Sequence, residues 1–61
     1  MAYTSMKKLI TNQNIKYKNG SVTKQEYDLW KESTMTKLDV FLACNRVTVE
    51  QYEELVNMFL I

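Results

Sequence analysis

The clearest pattern of apolar and polar positions lies in the last third of the chain. Apolar residues recur there at the intervals of one face of an α-helix: Val49, Tyr52, Leu55, Val56, Phe59 and Leu60. Glu50, Glu53 and Glu54 fall on the other face. Glu50 lies in the first turn, where the helix dipole favours negative charge. The pattern predicts a helix over residues 48–60.

A second helix is predicted over residues 23–44, because residues 24–44 contain neither proline nor glycine to interrupt it. Two stripes of side chains run along this segment. The first contains Tyr27, Trp30, Thr34, Leu38 and Phe41, and the second, which we expect to lie beside it, contains Leu29, Thr36, Val40 and Ala43. Residues 38–44 are apolar almost all round, so we expect them to be the most deeply buried part of the molecule. Cys44, at the end of this run, is predicted to be a small core residue.

The first segment has two readings. Met6, Leu9, Ile10, Gln13 and Tyr17 fit a helical stripe over residues 5–18, with Thr4 or Ser5 as N-cap and Gly20 as the left-handed residue that ends the helix. Residues 15–23, however, also alternate between apolar and polar around Asn19-Gly20, which is typical of a β-hairpin. We prefer the helix, because an isolated two-stranded hairpin is marginal in water.

Together these elements predict an all-α, three-helix domain that occupies residues 1–61. Helices 2 and 3 are expected to form an antiparallel hairpin closed by Asn45-Arg46. The shorter N-terminal helix is expected to pack across that hairpin.

One helix-start signal occurs twice, as Val22-Thr23-x-x-Glu26-Tyr27 and as Val47-Thr48-x-x-Gln51-Tyr52. In each copy the threonine can cap the helix while the Glu or Gln side chain reaches back to the threonine amide, which makes a capping box. The preceding valine can pack on the tyrosine as a hydrophobic staple. An internal duplication and independent convergence on a good helix start both explain the two copies.

The stretch Gly20-x-Val22-Thr23-x-x-Glu26-Tyr27-x-x-x-Lys31 resembles the start of the short helical SHOCT-type module. Residues 38–55, with Asn45-Arg46-Val47-Thr48 at their centre, are similar to the tail of small proteins encoded by phages and prophages of Gram-positive bacteria. Lys24-Gln25 replaces the paired acids of the first pattern, and Arg46 stands where a glycine is usual in the second. The resemblance implies a small interaction or oligomerisation module, phage-borne, that acts as an accessory protein or as an inhibitor of a host protein. It implies no catalytic residue.

Composition excludes most catalytic chemistry. The 61 residues include no histidine and one cysteine, so Cys44 has no imidazole to activate it and a four-ligand zinc site cannot form. There is no glycine-rich phosphate loop, and the glutamates of the last helix lie on a solvated face. We therefore expect no enzyme activity, no cofactor, no metal and no small-molecule substrate. The chain shows no signal peptide and no apolar run long enough to span a membrane, so we expect a cytoplasmic protein, in the host cytoplasm if phage-encoded.

Charge and exposed apolar side chains then predict what the chain binds. Residues 1–25 hold five lysines and no acid, whereas the remainder holds three bases and seven acids. The favoured hypothesis is association with a protein partner or with a second copy of the chain. It rests on side chains of interface-prone type and on the apolar C-terminal edge: Tyr17, Trp30, Met58, Phe59 and Ile61. The alternative is a small nucleic-acid-binding regulator that uses a basic patch in the N-terminal third: Lys7, Lys8, Lys16 and Lys18.

Overall fold

The computed structural model describes residues 2–61, and within that range it contains three helices and no strand. Helix α1 spans Ala2–Lys18, α2 spans Lys24–Ala43 and α3 spans Val49–Asn57. Every helix contacts the other two. The predicted all-α, three-helix architecture is confirmed. The alternative β-hairpin is wrong, because residues 15–18 form the last turn of α1.

Helices α2 and α3 form the predicted antiparallel hairpin. Tyr52, in the first turns of α3, donates a hydrogen bond to Asp39 near the end of α2. Phe59, which follows α3, packs on Trp30 near the start of α2. The short member of the bundle is α3, with 9 residues, rather than the N-terminal helix, which has 17. Helix α1 begins at Ala2, so neither Thr4 nor Ser5 is its N-cap.

Both connections between helices have the same local structure. At the end of α1, the Ser21 amide donates to the Lys16 carbonyl at 2.9 Å and the Gly20 amide donates to Tyr17 at 3.3 Å. At the end of α2, the Arg46 amide donates to the Phe41 carbonyl at 2.8 Å and the Asn45 amide donates to Leu42 at 3.1 Å. These paired bonds define a Schellman motif, whose penultimate residue is left-handed.

The left-handed residues are Gly20, at φ 84°, and Asn45, at φ 58°. Glycine and asparagine are the residues that adopt this conformation at low cost. Gly20 therefore corresponds to Asn45, and each lies three positions before a capping threonine. Each position of the first connection therefore has its structural counterpart 25 residues later in the chain.

Both predicted capping boxes are present. The Glu26 amide donates to the Thr23 hydroxyl at 3.1 Å, and the Thr23 amide donates to the Glu26 carboxylate at 3.0 Å. Thr48 and Gln51 make the same two bonds at 3.1 and 3.0 Å. The pKa of Glu26 is lowered from its ordinary value. The larger cause is the hydrogen bond from the Thr23 amide to the carboxylate, and the smaller one is hydrogen bonding with the Thr23 side chain. The starts of α2 and α3 are thus each stabilised by two side chains three residues apart.

The core lies on the inner faces of the three helices. Its buried cluster consists of Met6, Ile10, Leu38 and Leu55. Tyr27 and Val47 are also buried, as is the hydroxyl-bearing Thr34. The predicted inner stripe of α2 is confirmed, since Tyr27, Thr34 and Leu38 are buried and Trp30 and Phe41 pack beside them.

Several other burial predictions are wrong. Residues 38–44 are not the most buried segment, and Cys44 is exposed rather than part of the core. The second stripe of α2 is exposed throughout: Leu29, Thr36, Val40 and Ala43. Leu9, Val49 and Leu60 are exposed as well. For the residues that lie within the helices, the physical reason is the same. A helix in a three-helix bundle touches its neighbours over about half of its circumference, so the outer half stays in water even where it is apolar.

Helix α3 ends at Asn57 rather than at residue 60. Residues 58–61, here called the tail, leave the helical path and lie against the start of α2. The Phe59 amide still donates to the Val56 carbonyl at 3.3 Å, and the Leu60 amide donates to the Tyr27 hydroxyl at 3.1 Å. Hydrogen bonds to another helix therefore replace the last helical turn.

Candidate interaction surface

An aromatic row crosses the end of the bundle where α1 meets the start of α2. Tyr17 packs on Tyr27 with ring centroids 4.9 Å apart, and Tyr27 packs on Trp30 at 5.2 Å. Trp30 in turn meets Phe59 edge-on at 5.5 Å. The offset and edge-on arrangements are the favourable ones for aromatic pairs. The row brings together Tyr17, Trp30 and Phe59, three of the residues predicted to form an interface.

The tail adds the other two predicted interface residues, Met58 and Ile61. The Asn14 amide donates to the Met58 carbonyl at 2.8 Å. The Lys31 ammonium donates to the Ile61 carbonyl and lies 5.5 Å from the centre of the Phe59 ring. All five predicted interface residues are half-buried, and Trp30, Met58 and Phe59 pack against the core. Much of their apolar surface is therefore already covered by the chain itself.

The predicted basic patch lies on α1. Lys7, Lys8, Lys16 and Lys18 are all exposed, and α1 contains no acidic residue. At about 100° per residue, their positions spread over the outer half of the helix rather than along one line. Lys7 also lies 5.6 Å from the centre of the Tyr3 ring. The lysines of α1 thus form a broad basic surface rather than a single row along the helix.

Helix α3 presents the opposite charge. Glu50, Glu53 and Glu54 are exposed, and the helix has no basic residue. Glu50 and Glu54 line an open cleft of about 380 Å³ together with Thr48 and Gln51. The Tyr3 hydroxyl of α1 donates to the Glu54 carboxylate at this point, so the basic and acidic helices touch.

Tyr52 of α3 makes a side-chain hydrogen bond to α2. Its hydroxyl donates to the Asp39 carboxylate at 2.7 Å. That hydrogen bond raises the pKa of Tyr52, because ionising the phenol would lose the donor and set two negative charges side by side. Asp39 therefore has a partner within its own chain.

The outer face of α2 is the surface that sequence reasoning missed. It carries Leu29, 62% exposed, and Val40, 53% exposed. The 3.6-residue repeat of the helix is enough to place this surface on the side opposite the core. Leu29 lies about 160° round the helix from Tyr27, so the two stripes of α2 are on opposite sides rather than adjacent. Leu29 and Val40, 11 positions apart, fall on nearly the same line.

The three helices thus present three outer surfaces of different chemistry: basic on α1, largely uncharged along the outermost line of α2, and acidic on α3. No buried side-chain nitrogen or oxygen among residues 2–61 lacks a hydrogen-bond partner. That part of the chain also holds no group of three or more candidate metal ligands. Nor does any helix within it combine the length and apolar character needed to cross a membrane. No family model, curated protein or solved structure matches the chain.

Proposed function

We propose that the chain is a non-catalytic module that acts by binding a protein, either a second copy of itself or a foreign partner. The observation that carries this proposal is the set of exposed large apolar side chains, five on the helices and one in the tail: Leu9, Ile15, Leu29, Val40, Val49 and Leu60, each at least 40% exposed. These side chains are as numerous as the buried apolar side chains of the core, and covering those of one face with a partner would remove apolar area from water, which favours association.

The ionisable groups support a non-catalytic role. Glu50 and Glu54 lie in an open, polar cleft rather than in an apolar pocket that would tune a carboxylate for proton transfer. Cys44 is exposed, and a chain without histidine cannot give it an imidazole base. The proposed setting is the cytoplasm, where an exposed thiol stays reduced. If the chain is phage-encoded, as the sequence leads us to expect, the foreign partner is a host protein.

Light scattering over a concentration series, together with capture of partners from a host lysate by the immobilised full chain, tests the proposal. We expect either a molar mass that rises with concentration or a specifically retained protein. Serine substitutions at Leu9 and Ile15 test the outer face of α1, and those at Leu29 and Val40 test that of α2. The substitutions on the helix that contacts the partner should weaken binding. A chain that stays monomeric and retains nothing would contradict the proposal, as would binding that all four substitutions leave unchanged.

The second candidate, a nucleic-acid-binding regulator, is favoured by one observation: the exposed lysines of α1 face water on a helix without acids. Phosphate contacts of this kind give non-specific, salt-dependent affinity. Retention of generic DNA at low salt that is lost at moderate salt, and lost in a Lys7→Glu, Lys18→Glu variant, would support this function. No retention even at low salt would exclude it.

A further inference from the structure

The outer face of α2 carries a regular repeat that the bundle itself does not use. Leu29, Ser33, Thr36, Val40 and Ala43 follow one another at intervals of four, three, four and three residues. Alternating intervals of three and four are those of the a and d positions of a coiled coil. All five side chains are exposed, and none is charged. We name this row the α2 seam. It is about 21 Å long at 1.5 Å per residue.

The side chains of the seam fit a second helix. In the coiled-coil register Val40 is an a residue and Leu29 a d residue, and among parallel coiled coils a β-branched residue at a with leucine at d favours two strands. The remaining positions are small, which allows close approach of a partner backbone. The Thr36 hydroxyl donates to the Glu32 carbonyl at 3.2 Å, so its polar group is satisfied within the helix and costs little to cover.

Charges beside the seam select the orientation. Glu32 precedes Ser33 on one edge, and Lys37 follows Thr36 on the other. In a parallel pair of helices, a residue at g faces the residue at e five positions further along the partner, which sets Glu32 opposite Lys37 of the second copy. Two-fold symmetry produces this pair twice.

The antiparallel arrangement is unfavourable for the same reason. It sets like edges together, so that Glu32 faces Asp39 of the second copy, and like charges repel. Asp39 is moreover already bonded to Tyr52 of its own chain at 2.7 Å. Glu32 is therefore the acid on that edge with its carboxylate open to a second copy.

We infer that a second copy of this chain binds the α2 seam, with the two α2 helices parallel and in register. The inference rests on the proposed function and names its partner and its surface. The five residues of the seam are far fewer than the roughly 20–30 residues per side of a stable interface, so we expect the dimer to form reversibly as the concentration rises. Basic α1 and acidic α3 remain on the outside of the dimer.

Charge reversal tests the pairing. The dissociation constant of the full chain is measured by sedimentation equilibrium for the natural protein, Glu32→Lys, Lys37→Glu and the double variant, with circular dichroism to confirm folding. We expect each single reversal to weaken the dimer about tenfold, and the double variant to restore it, because the swapped charges again face each other. In an antiparallel dimer, Glu32→Lys would instead strengthen association, because the new lysine would face Asp39 of the second copy.

A matched pair of variants tests the seam itself. Val40→Asp should abolish dimerisation, whereas Leu9→Asp, at the 51% exposed position on α1, should leave it unchanged. In a Cys44→Ser background, Ala43→Cys should form a disulfide between two copies under mild oxidation, since equivalent d positions face each other in a parallel pair. Asn12→Cys on α1 is the control and should not cross-link.

Two outcomes would overturn the inference while leaving the proposed function standing. One is a dimer that Val40→Asp and the charge reversals do not affect, which would mean that another face pairs the copies. The other is a chain that stays monomeric up to about 1 mM but binds a foreign protein through the seam, which would replace the second copy as occupant. A monomer that binds nothing would overturn both.

Discussion

The hydroxyl group of Tyr27 joins the Asn14 side chain of α1 to the main chain that follows α3. It donates to the Asn14 carbonyl oxygen and accepts from the Leu60 amide at 3.1 Å. Asn14 in turn donates to the Met58 carbonyl at 2.8 Å. The Tyr27 side chain is fully buried, and all three bonds are partly buried. One residue of α2 thus fixes both its neighbouring helix and the tail.

We expect Tyr27→Phe to lower the free energy of unfolding by about 1–3 kcal/mol, because it leaves a carbonyl oxygen and an amide without a partner. The measurement is urea unfolding followed by circular dichroism. Amide exchange at Leu60 should also become faster. The matched control is Tyr52→Phe, the equivalent position 25 residues on, whose hydroxyl bonds to Asp39 at an exposed site. An equal loss in both variants would show that the network around Tyr27 adds nothing.

The two capping boxes should respond differently to acid. Because the pKa of Glu26 is lowered in the folded state, its carboxylate stabilises the fold above the ordinary pKa of 4.5, and that contribution is lost as the pH falls through the lowered value. Glu26→Gln should therefore be less stable than the natural protein at neutral pH, and the difference should shrink in acid. Urea midpoints between about pH 3 and pH 7 measure this.

Thr48→Ala is the control for that experiment. It removes the cap of α3, where Gln51 does not titrate, and should cost about 1 kcal/mol over the whole range. A cost of Glu26→Gln that does not vary with pH would contradict the role of the Glu26 carboxylate in the box.

The starts of α2 and α3 and the glycine turn could be predicted from the sequence because their chemistry is local, whereas the predicted start of α1 at Thr4 or Ser5 was wrong. Thr23 and Glu26 find each other across three residues, and so do Thr48 and Gln51. Gly20 adopts a left-handed conformation whatever packs around it. The left-handed conformation of Asn45 was not predicted, because asparagine occurs in many other settings.

Burial and the end of α3 could not be predicted in the same way, since both depend on distant parts of the chain. The exposure of Leu29 and Cys44 follows from where α1 and α3 pack on α2. The tail leaves the helix where Asn14 and Tyr27, 44 and 33 residues away, bind its main chain. For the interaction surface, the sequence indicated aromatic residues that the structure brings together, but it placed the second stripe of α2 beside the first and expected residues 38–44 to be buried.

The two left-handed residues should respond oppositely to substitution. A Cβ at Gly20 would have no heavy atom within 4 Å, so Gly20→Ala meets no steric obstacle beyond its own backbone. We expect a loss of about 1–2 kcal/mol from the left-handed φ alone. Asn45→Gly should be neutral or slightly stabilising, because relief at φ 58° offsets the greater freedom of glycine in the unfolded chain. Thermal unfolding measures both. A similar loss in the two variants would argue against a left-handed Asn45.

Leucine truncation on the two sides of α2 provides the most direct test of how this helix is rotated in the bundle. Leu38 is fully buried, whereas Leu29, on the same helix, is 62% exposed. Leu38→Ala should cost about 2–5 kcal/mol, enough to populate the unfolded state of so small a domain.

Leu29→Ala should change the stability of the monomer by about 0.5 kcal/mol or less. The two variants must be compared by urea unfolding in dilute solution, because association through the outer face would stabilise the folded chain at high concentration. If Leu29→Ala proved as costly as Leu38→Ala under those conditions, α2 would have to bury its second stripe, and its outer face would not be open to a partner.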